Sequence, residues 1–69
     1  MIFVFKTSVK TKMHVKKLKP HIGKILPNEK WNFDLEDIDN ILRIDCDENI
    51  AVVIIDLLNF HTFDCEELE

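Results

Sequence analysis

The chain has 69 residues, 46% of them hydrophobic and 32% charged, and its net charge is −4. This length and composition predict one folded domain over residues 1–69 and exclude a low-complexity or disordered chain. The charges are separated, because residues 1–30 hold all eight lysines and one acid, whereas residues 31–69 hold one arginine and the other twelve acids.

The first two predicted elements are a strand and a basic helix. Ile2–Lys6 (IFVFK) carries apolar groups on both faces, which indicates a strand in the centre of a sheet. Apolar residues then recur at helical spacing, while lysines fill the opposite side. The members of this apolar row are Met13, Val15, Leu18, Ile22, Ile25 and Leu26. Pro20 should kink this helix or tighten its last turns, and Pro27 ends it.

A β-hairpin with one apolar face is predicted next. Apolar and polar residues alternate over residues 31–36 (WNFDLE) and again over residues 42–47 (LRIDCD), the pattern of two half-buried strands. The segment Asp37–Asn40 (DIDN) between them has the residues of a turn. The acids around this turn are Asp34, Glu36, Asp37 and Asp39. They lack the glycine and the spaced glutamate of a calcium loop, so we expect a solvated turn.

A second helix and a closing strand follow. Residues 47–49 (DEN) supply an N-cap and first-turn acids. The apolar row behind this cap consists of Ile50, Val53, Ile54, Leu57 and Leu58. Val52 and Ile55 lie outside that row, so the helix should show apolar surface beyond its core contact. Phe60–Leu68 is polar and acidic, as edge strands often are.

Together these elements predict an α+β fold with the order β-α-β-β-α-β, the ferredoxin-like arrangement. That topology forms a two-layer sandwich, in which four antiparallel strands in the order 4-1-3-2 carry both helices on one face. The first strand then lies in the centre of the sheet, in agreement with its two apolar faces. Agreement between separately predicted elements is the main support for this fold.

The apolar segments are too short for a membrane or a secretion signal. Met1–Phe5 is shorter than the apolar part of a signal peptide, and Ile50–Ile55 is far shorter than a membrane span. Cys46 and Cys65 cannot form a disulfide framework and are compatible with a reducing compartment. We therefore expect a soluble, cytoplasmic protein without a membrane partner.

Several segments carry a family resemblance. The sequence "TSVKT" follows the first strand, "MHVKKL" begins the helix, "WNFDLEDIDNILRIDCD" forms the hairpin and "NFHTFDCEEL" closes the chain. In these features the chain resembles, over nearly its whole length, the heavy-metal-associated domain of copper chaperones and copper-transporting ATPases. That family has T-C-x-x-C in the loop, V-x-x-L in the helix and G-Y-x-A-x-x-L at the end, where Asn59 and Phe60 take the Gly-Tyr positions. The resemblance implies the ferredoxin-like fold and docking through a lysine-bearing face.

The metal loop of that family is altered in this chain. Ser8 and Thr11 occupy the positions of the two thiolates, and Lys6 stands at the position of the loop methionine. Monovalent copper needs thiolate or thioether ligands, whereas a hydroxyl is a hard, neutral donor. The resemblance therefore carries over the fold and not the metal, and we expect no metal and no other cofactor.

Three interpretations of Ser8 and Thr11 stay open. Their hydroxyls, or that of Thr7, can cap the first helix by accepting from its free backbone N–H groups. With Lys10 and Lys12 beside them at a helix N-terminus, they can instead bind an anion. A retained metal role is the third interpretation.

Histidines and cysteines are the remaining candidate metal ligands. In the family, the loop before the last strand approaches the metal loop, so His61 could approach Ser8 and His14 could join it in a two-histidine site. We expect surface histidines as the default. Cys46 and Cys65 are expected to behave as small buried hydrophobic residues, and no C-x-x-C is present.

The sequence leaves two main functional hypotheses. It has no phosphate loop and no spaced catalytic set, so we expect no enzyme, and its lysines lack the interleaved aromatics of a nucleic-acid surface. The leading hypothesis is a metal-free module that acts by protein contact or self-association. Its basic docking face would be Lys10, Lys12, Lys16, Lys17 and Lys24, and its self-association surface Val52 and Ile55. The alternative is a metal-handling protein that uses His61 and His14.

Overall fold

The computed structural model describes residues 1–36 and 38–68 and contains four strands and two α-helices in that part of the chain. The elements are β1 (Ile2–Thr7), α1 (Lys12–Gly23), β2 (Trp31–Asp34), β3 (Ile41–Asp45), α2 (Glu48–Phe60) and β4 (Cys65–Glu67), and a 3₁₀ turn at Asn28–Lys30 precedes β2. The predicted α+β class and element order are confirmed, and the architecture is compatible with a ferredoxin-like fold.

The strands form one antiparallel sheet in the order β2-β3-β1-β4. This is the predicted order, read from the other edge, and it places β1 between β3 and β4. In the register, Phe5 of β1 lies opposite Leu42 of β3, which in turn lies opposite Phe33 of β2. Because directly opposite residues point to the same side, these three side chains share one face.

One hydrophobic cluster joins that face of the sheet to both helices. Phe5, Leu18, Ile22, Leu42, Ile54 and Leu58 are among its fully buried members. Trp31 and Phe33 at the β2 edge pack against the cluster but stay partly exposed. The edge of the core at β2 is therefore less covered than its centre.

The basic helix α1 begins at a threonine cap and continues through a proline. The N–H of His14 donates to Oγ1 of Thr11 at 3.1 Å, and Pro20 lies in the last turns before the helix ends at Gly23. The chain then tightens, since the N–H groups of Ile25 and Leu26 both donate to the carbonyl of Ile22. The predicted extension of the apolar row to Met13 is wrong: that side chain is 81% exposed, two residues after the cap.

The second helix is confirmed, but the side that it buries differs from the predicted one. The N–H of Ile50 donates to Oδ1 of Asp47 at 3.1 Å, which begins the helix at the expected place. The buried residues are Ala51, Ile54 and Leu58, while Val53, predicted inside, is 44% exposed. Because residues 50–55 are all apolar, their sequence cannot distinguish between adjacent helix faces.

Two further boundaries differ from the expectation. Phe60 belongs to α2, so the closing strand is only Cys65–Glu67. Strand β2 stops at Asp34, whose Oδ1 accepts from the N–H of Glu36 at 3.2 Å and so bends the chain. The predicted turn and acid cluster include Asp37, which lies outside the described residues. No helix in the described ranges is long and apolar enough to cross a membrane.

Candidate functional site

The loop between β1 and α1 is held by hydroxyl hydrogen bonds. Oγ of Ser8 accepts from the N–H of Asp64 at 2.8 Å, and the N–H of Ser8 donates to the carbonyl of the same residue at 3.1 Å. This reciprocal pair joins the loop after β1 to the segment between α2 and β4. Ser8 therefore connects two loops and does not cap α1.

The two neighbouring threonines are also engaged. Thr11 is the cap of α1, so the capping interpretation is confirmed at this position. Thr7 is buried; its hydroxyl donates to the carbonyl of Asn40 at 2.7 Å and accepts from the N–H of Val9 at 3.2 Å. All three hydroxyls thus satisfy backbone groups of this chain, which is a structural use of the loop between β1 and α1.

An open cleft of about 590 Å³ adjoins this loop. Its charged lining residues are Lys6, Lys10, Asp39, Asp64 and Glu66. Lys6 is paired with Asp39 at 3.8 Å. Because three carboxylates share the cleft with two ammonium groups, its charge does not favour an anion over a cation. The geometry gives the anion-binding interpretation of Ser8 and Thr11 no support beyond the helix end itself.

The histidines form pairs other than the predicted one. The ring of His61 lies 4.5 Å from that of His21, centroid to centroid, near the C-terminal ends of α1 and α2. His14 instead contacts Phe63 with ring centroids 5.0 Å apart, and its Nδ1 is buried without a hydrogen-bond partner among residues 1–36 and 38–68. Among the described residues, no group of three or more histidine, cysteine or acidic side chains is placed to hold a metal.

The two cysteines are free thiols with raised pKa values. Burial raises the pKa of Cys65 to about 12. Burial, with the negative charge of Asp47, also raises the pKa of Cys46. Both side chains pack against the hydrophobic cluster, but they are only partly buried, whereas the sequence predicts buried residues. Thiols that keep their protons are poor metal ligands, since the thiolate is the form that binds.

The predicted basic face divides into separate parts. Lys12, Lys16 and Lys19 follow one another along one side of α1 and line a groove of about 740 Å³ between this helix and β2. We call this cavity the lysine groove. Lys10 lines the other cleft, and Lys17 and Lys24 lie outside both.

The far side of the lysine groove is the edge of the sheet. Residues 31–36 form it, and Val15 of α1 adds an apolar contact between the lysines. Trp31 and Phe33 lie edge to face at 5.9 Å, and the indole N–H of Trp31 is buried without an acceptor in the described part of the chain. The groove thus combines an apolar floor with a basic rim. The sequence does not indicate Trp31 or Lys19 as site residues, because their proximity depends on how α1 lies against β2.

The predicted apolar surface of α2 is uneven. Val52 is 53% exposed, whereas Ile55 is partly buried against the hydrophobic cluster. The exposed residues Val53 and Phe60 lie seven residues apart on the same side of the helix, with the exposed Asp56 between them. This carboxylate interrupts the apolar surface.

No protein-family model, no curated protein and no solved structure matches this chain. The resemblance to the heavy-metal-associated domain therefore stays a prediction from the sequence.

Proposed function

We propose that this chain is a non-catalytic, heavy-metal-associated-like domain that has lost its thiolate metal site and acts by protein contact. The observation that carries the proposal is the lysine groove, in which Lys12, Lys16 and Lys19 stand above an apolar floor. Charge at the rim and exposed aromatic surface inside are the usual composition of a protein-binding surface. The groove offers that combination without any catalytic set.

The finer fold belongs to the same proposal. We propose a two-layer sandwich in which both helices cover one face of the sheet. It is supported by the cluster that joins Leu18 of α1 and Ile54 of α2 to Phe5 and Leu42 of the sheet. A reducing compartment such as the cytoplasm suits the two free cysteines.

Loss of the metal site is supported by the state of the loop. Ser8 and Thr11 are hydrogen-bonded to backbone N–H groups of Asp64 and His14, so their oxygens already have partners. Neither is a thiolate, the ligand that monovalent copper prefers. A protein of this fold without a metal keeps its surfaces, and contact is the function that they can serve.

Self-association is the second form of this proposal. Val52 and Val53 on α2 are exposed and could pair across a two-fold axis. The carboxylate of Asp56 and the partial burial of Ile55 reduce the apolar area available for such a contact. We therefore prefer the lysine groove to the surface of α2 as the contact surface.

The test compares charge-reversed variants as bait for proteins of the source organism. Lys12→Glu with Lys16→Glu removes the basic rim of the groove, and Lys17→Glu is the matched control on the same helix. We expect one protein to be captured and identified with the wild type and the control but not with the double variant. Equal capture by all three would contradict docking through the groove, and sedimentation of Val52→Asp against wild type tests self-association.

Metal handling by histidines is the second candidate, and one contact favours it. The ring centroids of His21 and His61 lie 4.5 Å apart at the ends of two different helices, so one borderline divalent ion could bridge the two rings. Calorimetric titration with copper(II), nickel and zinc tests this. If the candidate holds, stoichiometric binding is lost in His61→Ala and kept in His14→Ala, because His14 contacts Phe63 instead. Binding that survives in His61→Ala would exclude it.

A further inference from the structure

The outer side of β2 is an open edge of the sheet. β2 pairs with β3 on one side, and no other strand of residues 1–36 and 38–68 pairs with it on the other. In a strand, the backbone N–H and C=O groups of alternate residues point to opposite sides. Part of Trp31–Asp34 therefore presents free backbone donors and acceptors, to which an extended segment can add as a further strand.

The lysine groove lies along this same edge. A strand added beside β2 would direct every second side chain into the groove, towards Lys12, Lys16 and Lys19. Two acids are also present, but Asp34 is paired with Arg43 at 3.6 Å, which leaves Glu36 against three lysines. The excess positive charge favours an occupant with acidic side chains on its groove-facing side.

The charge also decides between a partner and a second copy. If β2 paired with β2 of a second molecule about a two-fold axis, the lysine rows of both molecules would lie beside the junction of the two strands. Like charges so placed repel each other. A second copy could instead offer β4, but that strand is only three residues long and the contact would be head to tail, which gives a ring or a filament. An acidic segment of another protein meets neither objection.

The groove also holds a donor without an acceptor. The indole N–H of Trp31 is buried and has no hydrogen-bond partner among the described residues. An unsatisfied buried donor is costly, so a carbonyl or carboxylate brought in by an occupant would gain a hydrogen bond after a rotation of the ring. Because Trp31 is the one tryptophan of the sequence, its fluorescence reports on the groove alone.

We propose that the lysine groove and the open edge of β2 together bind an extended acidic segment of a partner protein, which joins the sheet as a fifth strand. This proposal rests on the proposed function, since it names the class of partner for the same groove. It adds one requirement that simple charge contact does not have, namely backbone hydrogen bonds to β2.

The probe is the synthetic peptide Ac-ETETETE-NH₂, with the charge-reversed peptide Ac-KTKTKTK-NH₂ of the same length as its control. In a strand its glutamates all point to one face, and their amide groups all point to one side. Two further versions carry N-methyl groups on the glutamate amides or on the threonine amides. Binding to the full chain is followed by Trp31 fluorescence and by amide chemical shifts of residues 31–36, with Lys16→Glu/Lys19→Glu and Lys17→Glu as protein variants.

We expect the acidic peptide to bind, the basic peptide not to bind, and one N-methylated version to lose at least tenfold in affinity while the other does not. Reversal of Lys16 and Lys19 should also weaken binding at least tenfold, and reversal of Lys17 less than twofold. Both N-methylated versions could bind as tightly as the parent peptide while reversal of Lys16 and Lys19 still weakens binding. That result would refute the added strand and leave the proposed function, contact through the charged groove, intact. Absence of acidic-peptide binding, or a concentration-dependent dimer that Lys16→Glu changes, also overturns the proposal.

Discussion

Removal of the two loop hydroxyls is expected to destabilise the fold by a predictable amount. In Ser8→Ala the N–H of Asp64 loses its 2.8 Å acceptor. Hydrogen bonds of this kind contribute about 0.5–1.5 kcal/mol net. In Thr11→Ala the helix α1 loses its cap, and such a loss costs about 1 kcal/mol.

The double variant should therefore lose about 2 kcal/mol, because the two hydroxyls bond to different amides and their effects should add. A small domain has a total stability of about 0.05–0.15 kcal/mol per residue, so this loss is a large fraction of it. It corresponds to a fall in Tm of about 10 °C for a domain of this size. Urea and thermal unfolding followed by circular dichroism measure both quantities.

Amide hydrogen exchange gives each substitution its own local readout. Ser8→Ala should increase exchange at the Asp64 amide more than at the His14 amide. Thr11→Ala should increase exchange at the His14 amide more than at the Asp64 amide. Lys10→Ala, an exposed change between the two positions, is the control and should stay within about 0.5 kcal/mol. If the double alanine variant is as stable as wild type, with both amides still protected, the hydroxyls are not structural and the loop is free for a ligand.

Three further predictions concern the same end of the molecule and the thiols. Thr7→Val keeps the shape but removes the bonds to Asn40 and Val9, so unfolding experiments should show a loss of about 1–3 kcal/mol; a neutral effect would contradict this role. Burial raises the pKa of Cys65 to about 12, so the unfolded chain releases the thiol proton at lower pH than the folded protein does. The free energy of unfolding should therefore fall as pH rises above about 9 towards 12. An equal fall over this pH range in Cys65→Ala would refute this prediction. Finally, Ser8→Cys with Thr11→Cys should bind one copper(I) ion in competition with a chelator, whereas either single variant should not; no binding by the double variant would contradict the family resemblance.

The sequence predicts the sheet better than the helix faces. The two apolar faces of Ile2–Lys6 place β1 in the centre, and the alternation at residues 31–36 and 42–47 defines the hairpin. The alternation in the hairpin has a period of two residues, which allows one choice of buried side. In α2 every residue from Ile50 to Ile55 is apolar, so the sequence does not reveal that Ala51 is buried and Val53 is exposed.

The sequence pattern does not predict contacts between distant elements. The distance between His21 and His61 depends on the mutual position of the two helix ends, and no local spacing encodes it. The reciprocal bonds of Ser8 with Asp64 join residues 56 positions apart. The capping role of Thr11, by contrast, involves a neighbour three residues away and could be predicted.

The structure also separates two surfaces that the sequence treats as one. Lys10 and Lys12 are two residues apart, yet Lys10 lies in the acid-lined cleft at the β1–α1 loop and Lys12 in the lysine groove. The acids Asp39, Asp64 and Glu66 line the cleft beside the β1–α1 loop, so an acidic partner would be repelled there and attracted at the groove. The excess positive charge of this chain thus lies along the edge of β2, where the backbone groups of the edge strand can pair with the same partner.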